Sequence, residues 1–343
     1  MSGVAHVFPW SVWECWWLAP LALVLDLILG DPALPWPHPV CLVGKCLARL
    51  EGPARRFGGS GPRAPLRLRL AGAVVLALLC AGTGAGVWLL VSLPAAGALF
   101  ALYFAWAGLA LGSLVRIGRE VAEAVEDAPL PEARVALARL VSRDVSALER
   151  PMLRKTLADT LSENFTDAFL APWFWLLVGG PVALWVYKAV STGDSMWGYL
   201  NDRWRWLGWA AARADDVLAF VPARLSVAAL RLADAVARLF PAARAWHGQW
   251  PGFGAVAREA PGMPSPNSGW SMTACAWLCG SRMAGPSVYF GELVVKPWLG
   301  PPEGEAAPWD APRIAALLRL EQWGAVCGGL ALWLACLVMR LLF

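Results

Sequence analysis

Charged residues are scarce in this sequence. Lys, Arg, Asp and Glu make up 16% of its 343 residues, whereas 58% are hydrophobic, and the mean hydropathy is +0.52. Soluble domains carry roughly a quarter charged residues, so this composition predicts a membrane protein. The net charge of +4 is small and the arginines are dispersed, which argues against a nucleic-acid partner. The 22 tryptophans exceed what a core needs and suit a membrane–water interface.

Several common catalytic motifs are also missing. The sequence contains no GxxxxGK[ST], no GxGxxG followed by an acid, no HExxH and no GxSxG. A P-loop ATPase, a Rossmann enzyme, a zincin and an ordinary serine hydrolase are therefore not supported. The eight cysteines show no metal-binding spacing, and we interpret them as reduced, buried thiols.

Lys and Arg are absent from residues 1–44. A secretory signal needs a basic start, so the apolar run at 12–29 is predicted to be a first membrane helix instead. The loop at 44–69 then carries seven basic residues against the single acid Glu51. By the positive-inside rule, this loop is predicted to lie in the cytoplasm.

Further apolar runs at 71–93, 95–115 and 323–342 predict membrane helices, since roughly 20 apolar residues suffice to cross. The apolar run at 169–190 is harder to assign because Gly179-Gly180-Pro181 interrupts it. It either crosses the bilayer or dips in and returns as a broken re-entrant hairpin. We favour the hairpin because it keeps the acidic segments before and after it on one side.

The sequence therefore predicts an all-α fold in a single membrane-embedded domain over 1–343. This polytopic protein would have about four full transmembrane helices, a re-entrant broken helical hairpin and amphipathic surface helices at 201–245. The polar regions at 116–168 and 187–300 are expected to form a site at the cytoplasmic face.

An acidic stripe stands out in the first of these regions. Asp159, Glu163 and Asp167 are spaced i, i+4, i+8 and share one face of a helix. Oxygen ligands of this kind suit Mg²⁺, which often binds one or two carboxylates plus substrate phosphates. A solvated helix face is the alternative interpretation. Asn164, in the same stretch, is assigned to substrate binding.

Acids and bases alternate in the second region, at a predicted membrane rim where unpaired charge is costly. Asp215 and Asp216 do not share a helix face, so we expect one to bind a metal and the other to pair with Arg213. The alternative is that they are a helix N-terminal charge or a surface ion pair with no role in a site. Asp194 is a further candidate acid, and Ser195 beside it a substrate contact. The candidate phosphate-binding cations are Lys188, Arg213 and Arg224. The alternative for Lys188 is that it extends from a membrane helix to place its charge in the interface.

Two loops have the composition of rigid, site-forming segments. Prolines around Asp31 and His38 would hold both side chains in place, although a lone His is more often structural. Asn267 and Ser268 resemble a helix entry with one of them as the cap, and backbone N–H groups there suit an anion.

Several stretches, in one order along nearly the whole chain, resemble the adenosylcobinamide-phosphate synthases of cobalamin biosynthesis, the CbiB/CobD type. They are LDLILGDPALPWPHPVCLVGKCLARLE, RDVSAL, ADTLSENFTDAFLAPWFWLLVGGP, YKAVSTGDSMWGYLNDRW, ARADDVLAFVPARL, SPNSGWSM and GPSVYFGELVVKPWLG. One departure is that Ser191-Thr192-Gly193 precedes Asp194 where the family usually has Asn-Thr and a larger residue.

The resemblance implies an amide ligase of the cell inner membrane with its active site on the cytoplasmic face. Such enzymes join adenosylcobyric acid, a corrinoid, to aminopropanol phosphate or a related amino alcohol, with ATP and Mg²⁺. Other membrane enzymes of late cobalamin assembly would be partners, besides the lipid bilayer.

Placing the candidate residues in this chemistry gives each a hypothetical role. His38 or an acid would accept the amine proton, and the cations would hold the phosphates. A corrinoid-related transporter or a scaffold is the alternative, but we find no pair of corresponding repeats. The catalytic candidates are Asp194, Asp215, Asp216, Glu163 and His38, and the metal candidates are Asp159, Glu163, Asp167, Asp194 and Asp215. The substrate- and phosphate-binding candidates are Asp31, Lys188, Ser195, Arg213, Arg224, Asn164, Asn267 and Ser268.

Overall fold

Helices dominate the computed structural model, which describes residues 9–32, 35, 37–240, 244–289 and 291–342. Strands in these residues are limited to four short pieces, so the predicted all-α class is confirmed. Within these ranges, four helical runs are long and apolar enough to cross a membrane: Ala64–Val91, Gly97–Asp127, Arg150–Trp197 and Ala311–Leu342. The chain is a polytopic membrane protein, as its composition predicts.

The helices do not follow the predicted bounds everywhere. Within the run predicted at 12–29, helix α1 occupies Leu18–Leu29. Its 12 residues extend roughly 18 Å at 1.5 Å per residue, which is shorter than a hydrocarbon core of about 30 Å. The run predicted at 95–115 forms helix α4, Gly97–Gly108, and the first part of α5, Leu111–Asp127.

The chain divides into two compact units by its internal contacts. The first comprises Met1–Ala110, Ala171–Ala219 and Leu332–Phe343, and the second comprises Leu111–Leu170 and Phe220–Ala331.

The first unit is built around two contacting helices, α2 (Pro39–Gly58) and α3 (Ala64–Val91). Helix α2 is amphipathic and turns Val43 and Leu47 into a buried apolar cluster. Part of that cluster lies on α3, a candidate membrane helix, where close van der Waals packing is the main stabilising term. The remaining helices of this unit are α1, α4, α8 (Ala171–Trp197), α9 (Trp209–Leu218) and the last turns of α13 (Ala311–Leu342).

Helix α8 is broken at Gly179 and Gly180, as predicted from the Gly-Gly-Pro run. Gly179 has φ −135° and ψ 22°, and Gly180 has φ 63° and ψ −163°. A positive φ favours glycine, and a Cβ on Gly180 would also lie 2.4 Å from the carbonyl oxygen of Pro9. Pro181 then restarts the helix at a position where no backbone N–H is needed.

The second unit surrounds helix α7 (Arg150–Phe165), which is buried on most of its faces. A helix buried all round is normally apolar, yet the buried residues of α7 include Lys155 and Asp159. Charge in such a position requires close partners. A π-helical turn, Thr166–Leu170, follows α7, and the other helices are α5, α6 (Leu130–Ala138), α10 (Phe220–Ala237), α11 (Phe253–Glu259), α12 (Ser268–Cys279) and most of α13.

Four short strands of the second unit form two antiparallel pairs. Strand β1 (Met283–Ala284) pairs with β4 (Trp298–Leu299), with Met283 opposite Leu299. Strand β2 (Ser287–Tyr289) pairs with β3 (Glu292–Val294). Strand β1 contacts α7, where the charged residues lie.

Candidate functional site

Asp159 is the centre of a buried ion network in the second unit. Its Oδ2 accepts a hydrogen bond from Arg143 Nη1 at 2.8 Å and one from Lys155 Nζ at 3.0 Å. All three side chains are nearly inaccessible to solvent. Burial by itself lowers the pKa of Arg143, but the neighbouring Asp159 carboxylate, together with the other groups around Arg143, raises it by more. The net pKa is raised, so the guanidinium stays charged.

The backbone of Ala284 completes this network. Its N–H donates to Asp159 Oδ1 at 2.9 Å, and its carbonyl accepts a hydrogen bond from Lys155 Nζ. Ala284 has φ +60°, which is unusual for a residue with a Cβ. Such backbone conformations persist where the surrounding contacts impose them, and here both polar groups of Ala284 are held by one ion pair.

Two further side chains extend the network toward the strands. Lys296 Nζ donates to the Tyr289 hydroxyl at 2.7 Å and lies 4.5 Å from the centre of its ring. The Arg143 guanidinium lies 5.7 Å from the same ring. Tyr289 is therefore in contact with two cations, and we call the group of Arg143, Lys155, Asp159, Tyr289 and Lys296 the cation cluster.

The other predicted residues of the acidic stripe lie beyond Asp159. Glu163 is half-buried, and the charges of Lys296 and Arg143 act on it. Asn164 donates its side-chain N–H to the Thr160 carbonyl at 2.9 Å, one turn back along α7. Asp167 is half-buried in the π-helical turn. The cation cluster itself holds three cationic side chains and the single carboxylate of Asp159, so positive charge is in excess there.

The predicted residues at the start of α12 lie with Arg224. Asn267 occupies the N-cap position, but its side-chain oxygen accepts a hydrogen bond from Arg224 Nη1 at 2.8 Å instead of capping the helix. The Arg224 guanidinium also stacks on the rings of Phe220, at 3.5 Å, and Trp270, at 4.5 Å. Ser268 follows as the first residue of α12.

The candidate residues around Asp194 lie in the first unit. Arg213 Nη1 donates to Asp216 Oδ2 at 2.9 Å, and the charges of both residues act on Asp194. The structure thus brings Asp194, Arg213 and Asp216 together, with Asp216 as the partner of Arg213. Asp215 precedes Asp216 on α9, and Ser195 is exposed next to Asp194.

Gly198 is packed directly against Asp194. A Cβ added at Gly198 would lie 1.9 Å from Asp194 Oδ1, far inside the contact distance of two atoms. The Gly198 N–H also donates to the Asp194 carbonyl at 2.6 Å. The Asp194 carboxylate can therefore occupy this position only because residue 198 is a glycine.

A second group in the first unit contains Asp31, His38 and Lys188. His38 is the N-cap of α2, where its Nδ1 accepts a hydrogen bond from the Val40 N–H at 3.3 Å. Burial lowers the pKa of His38 below its ordinary value of 6.5; the Asp31 carboxylate opposes this shift and the Lys188 cation adds to it. The imidazole is therefore neutral at pH 7 and able to accept a proton.

Among the residues that the structure describes, no three or more His, Cys, Asp or Glu side chains are placed to hold a metal ion together. Asp159 fits Mg²⁺ poorly, because cations and a backbone N–H occupy its oxygens. Asp194 and Asp216 fit better, since two carboxylates with substrate phosphates are a common Mg²⁺ environment. The Mg²⁺ site stays a prediction.

Four members of the cation cluster were not among the predicted site residues: Arg143, Lys155, Tyr289 and Lys296. The signal that points to Lys155 is its i, i+4 spacing from Asp159, in a helix most of whose residues are buried. A buried acid requires a cation, and that requirement also directs attention to Arg143 in the preceding loop.

Comparison with known proteins adds independent information. The family model described as CobD/Cbib protein matches residues 19–320. A cobalamin biosynthesis protein CobD from Pelobacter propionicus is 39% identical over 288 residues, which cover 82% of this chain and 84% of that protein. A CobD from Geobacter metallireducens is 38% identical over 314 residues, covering 89% and 92%. A cobalamin biosynthesis protein CbiB from Salmonella arizonae is 34% identical over 320 residues, covering 92% and 95%.

No solved structure shows significant similarity to the chain. The sequence matches nevertheless extend through both units, from α1 to α13. They confirm the resemblance seen in the sequence, and the chain belongs to the CobD/CbiB family.

Proposed function

We propose that this chain is a membrane-bound amide ligase that joins adenosylcobyric acid to aminopropanol phosphate, or to a related phosphorylated amino alcohol, to give adenosylcobinamide phosphate. Its family membership makes it a cobalamin biosynthesis enzyme. The observation that supports the finer proposal is the cation cluster, in which three cationic side chains lie around one carboxylate and one tyrosine.

Amide formation from a carboxylate requires activation. In the proposed reaction the corrinoid carboxylate attacks the terminal phosphorus of ATP, forming an acyl phosphate and releasing ADP. The amine nitrogen then attacks the acyl carbon, a C–N bond forms, inorganic phosphate leaves, and one amine proton passes to a base. Both steps move phosphoryl charge, so cations held in place before the reaction stabilise them.

The cation cluster suits the phosphate of an amino alcohol phosphate. Lys296 donates its hydrogen bond to a neutral hydroxyl, whereas Lys155 donates to the Asp159 carboxylate, so Lys296 is the less firmly bound of the two ammonium groups. The Arg143 guanidinium has a planar fork that binds phosphate oxygens in pairs. We assign Lys296 and Arg143 as phosphate ligands, with Asp159 keeping Arg143 and Lys155 in position.

The residues of the first unit suit the other parts of the reaction. Asp194 and Asp216 would hold Mg²⁺, which supplies charge neutralisation for the phosphates of ATP. Arg213, Lys188 and, in the second unit, Arg224 remain candidate phosphate contacts. His38, neutral at pH 7, is assigned as the base that accepts the amine proton.

The test is ligation by the purified full-length chain in detergent, with adenosylcobyric acid, aminopropanol phosphate, ATP and Mg²⁺. Mass spectrometry would follow adenosylcobinamide phosphate, and a coupled assay would follow ADP. We expect product and ADP in equal amounts, and neither without the corrinoid. Corrinoid uptake into vesicles without ATP hydrolysis or product would overturn the proposal in favour of a transporter.

The carboxylates are tested in the same assay. We expect Asp194→Ala and Asp216→Ala each to abolish Mg²⁺-dependent ligation while thermal unfolding stays as in the unmodified protein. Asp202→Ala is the matched control, because Asp202 is fully exposed in the same region of the chain. Full activity in both Asp194→Ala and Asp216→Ala would discard their assignment to the metal.

A further inference from the structure

Arginine and tryptophan alternate after the end of α8, in the stretch Arg203-Trp204-Arg205-Trp206 of the first unit. The two tryptophans are half-buried, and the two arginines are exposed. No role in the proposed ligation involves this stretch. Its contacts with α2 and α3 nevertheless form a regular pattern.

Each of the two indole rings contacts two guanidinium groups from different segments. Arg55 on α2 and Arg203 lie 4.8 and 4.7 Å from the centre of the Trp204 ring. Arg69 on α3 and Arg205 lie 4.6 and 4.8 Å from the centre of the Trp206 ring. We call these six residues the Arg–Trp surface. Cation–π contacts hold guanidinium groups in place without neutralising their charge.

The acidic residues near the Arg–Trp surface neutralise only part of its positive charge. Glu51 accepts hydrogen bonds from Arg55 at 2.8 Å and from Arg203 at 2.9 Å. Asp202 lies 3.5 Å from Arg205 and is fully exposed. Four arginines against two acids leave an excess of two positive charges, and the nearby arginines Arg56, Arg63 and Arg67 are exposed as well.

The surface also lies at one end of a candidate membrane helix. Arg69 is in the second turn of α3, whose length and composition suit a membrane crossing. Large apolar side chains of the same unit are exposed beside the arginines: Leu66 and Leu70 on α3, and Trp209, whose ring lies 5.3 Å from Arg69. Exposed apolar groups next to tryptophan and arginine are typical of the level of the lipid headgroups.

We propose that the Arg–Trp surface binds the phosphate groups of anionic phospholipids at the edge of the bilayer. The stacked guanidinium groups present N–H donors in the plane of each group, which suits phosphate oxygens. The adjoining apolar side chains would contact the acyl chains of the same lipids. Zwitterionic lipids offer the same phosphate but cancel its charge, so the surface should prefer phosphatidylglycerol to phosphatidylcholine.

The experiment uses the full chain purified in a non-ionic detergent, titrated with phosphatidylglycerol or phosphatidylcholine. Native mass spectrometry counts bound lipids, and thermal unfolding reports stabilisation. We expect bound phosphatidylglycerol at concentrations where phosphatidylcholine is not retained. For Arg203→Gln/Arg205→Gln we expect about a tenfold weaker apparent affinity for phosphatidylglycerol, since each basic residue near an anionic surface contributes measurably.

Two further variants keep the test sharp. Arg203→Lys/Arg205→Lys preserves the charge and should retain most of the preference, even if the glutamine variant were to fold poorly. Arg139→Gln/Arg258→Gln removes two exposed arginines of the second unit and should bind lipid as the unmodified chain does. Equal retention of phosphatidylglycerol by the folded glutamine variant and the unmodified chain would overturn the proposal.

Soluble anions provide the last arm. Inorganic phosphate and ATP carry the same oxygens as a headgroup but have no acyl chains. We expect neither to displace phosphatidylglycerol at equal concentration. Displacement by ATP or phosphate, with no preference between the two lipids, would also overturn the proposal and would assign the surface to a soluble phosphate compound.

Discussion

Lys155 Nζ lies 3.0 Å from Asp159 Oδ2, one helical turn away, and both side chains are buried in the second unit. Arg143 approaches the same oxygen at 2.8 Å. One carboxylate thus compensates two buried cations, so each change to this group has a different expected cost.

Replacing Asp159 should destabilise the protein strongly. Asp159→Asn keeps the shape of the side chain but leaves Arg143 and Lys155 buried without an anion, which typically costs about 3–5 kcal/mol. Lys155→Met should cost less, because Arg143 still pairs with Asp159. Thermal unfolding of the purified protein in detergent measures both changes. Asp202→Asn, at a fully exposed acid, is the control and should stay close to the unmodified protein.

Lys296 should matter for the phosphorylated amine and little for the corrinoid. Removing a charge-assisted hydrogen bond to phosphate costs roughly 1.5–3 kcal/mol, so we expect Lys296→Met to raise the KM for aminopropanol phosphate about 10- to 100-fold. Tyr289→Phe removes the hydroxyl that holds Lys296 and should have a smaller effect of the same kind.

Arg282 provides the matched control for Lys296. It is a cation of the same segment that stacks on Trp298 at 4.4 Å and pairs with exposed Glu303. We expect Arg282→Gln to leave the KM for the amine unchanged. Equal effects of the Lys296 and Arg282 changes would mean that the segment responds only to its overall charge.

A methyl group at Gly198 should disturb the Asp194 site without unfolding the first unit. The added Cβ of Gly198→Ala would meet Asp194 Oδ1 at 1.9 Å, so the carboxylate must move. We expect kcat to fall at least tenfold, because small displacements of positioned groups are costly in catalysis. Gly52→Ala, where nothing lies within 4 Å of the added Cβ, should be fully active. An active Gly198→Ala enzyme would remove Asp194 from the site.

The pH dependence of ligation tests His38. Its pKa is below 6.5, so the acid limb of kcat/KM should lie below that pH. Lys188→Met removes a charge that lowers this pKa and should shift the limb to higher pH, whereas Asp31→Asn should shift it to lower pH. If neither substitution shifts the acid limb of the pH profile, the limb reports a titrating group other than His38.

The same shift has a consequence for stability. The unfolded chain binds a proton at His38 from about pH 6.5 downward, whereas the folded chain keeps the ring neutral to lower pH. The free energy of unfolding should therefore fall as the pH decreases below 6.5, and His38→Gln should reduce this slope.

Features that depend on local pattern were predictable from the sequence. The apolar runs indicated a polytopic helical membrane protein, and the Gly179-Gly180-Pro181 run indicated the break in α8. Both follow from rules that involve neighbouring residues only, namely hydropathy over about 20 positions and the backbone freedom of glycine.

Features that depend on contacts between residues far apart in the chain were not predictable from the sequence. The spacing of Asp159, Glu163 and Asp167 gave one helix face, but two of the three partners of Asp159 come from 16 and 125 positions away. Asn267 or Ser268 was expected to cap α12; Asn267 occupies the N-cap position, but its side chain accepts a hydrogen bond from Arg224, 43 positions earlier. Helical periodicity carries no information about which loop packs against a given helix face. The sequence therefore did not show that the oxygens of Asp159 already accept hydrogen bonds within the protein and are not open to a metal ion.

Ala284 ties the strand segment to the charge of α7, because Lys155 and Asp159 together hold both of its backbone polar groups. An incoming anion that attracts Lys155 must compete with the Ala284 carbonyl for the same ammonium hydrogens. Binding of an anion at the cation cluster would then be transmitted to β1 and, through it, to β4, so backbone amides of these two strands should exchange with deuterium at a rate that reports whether substrate is present.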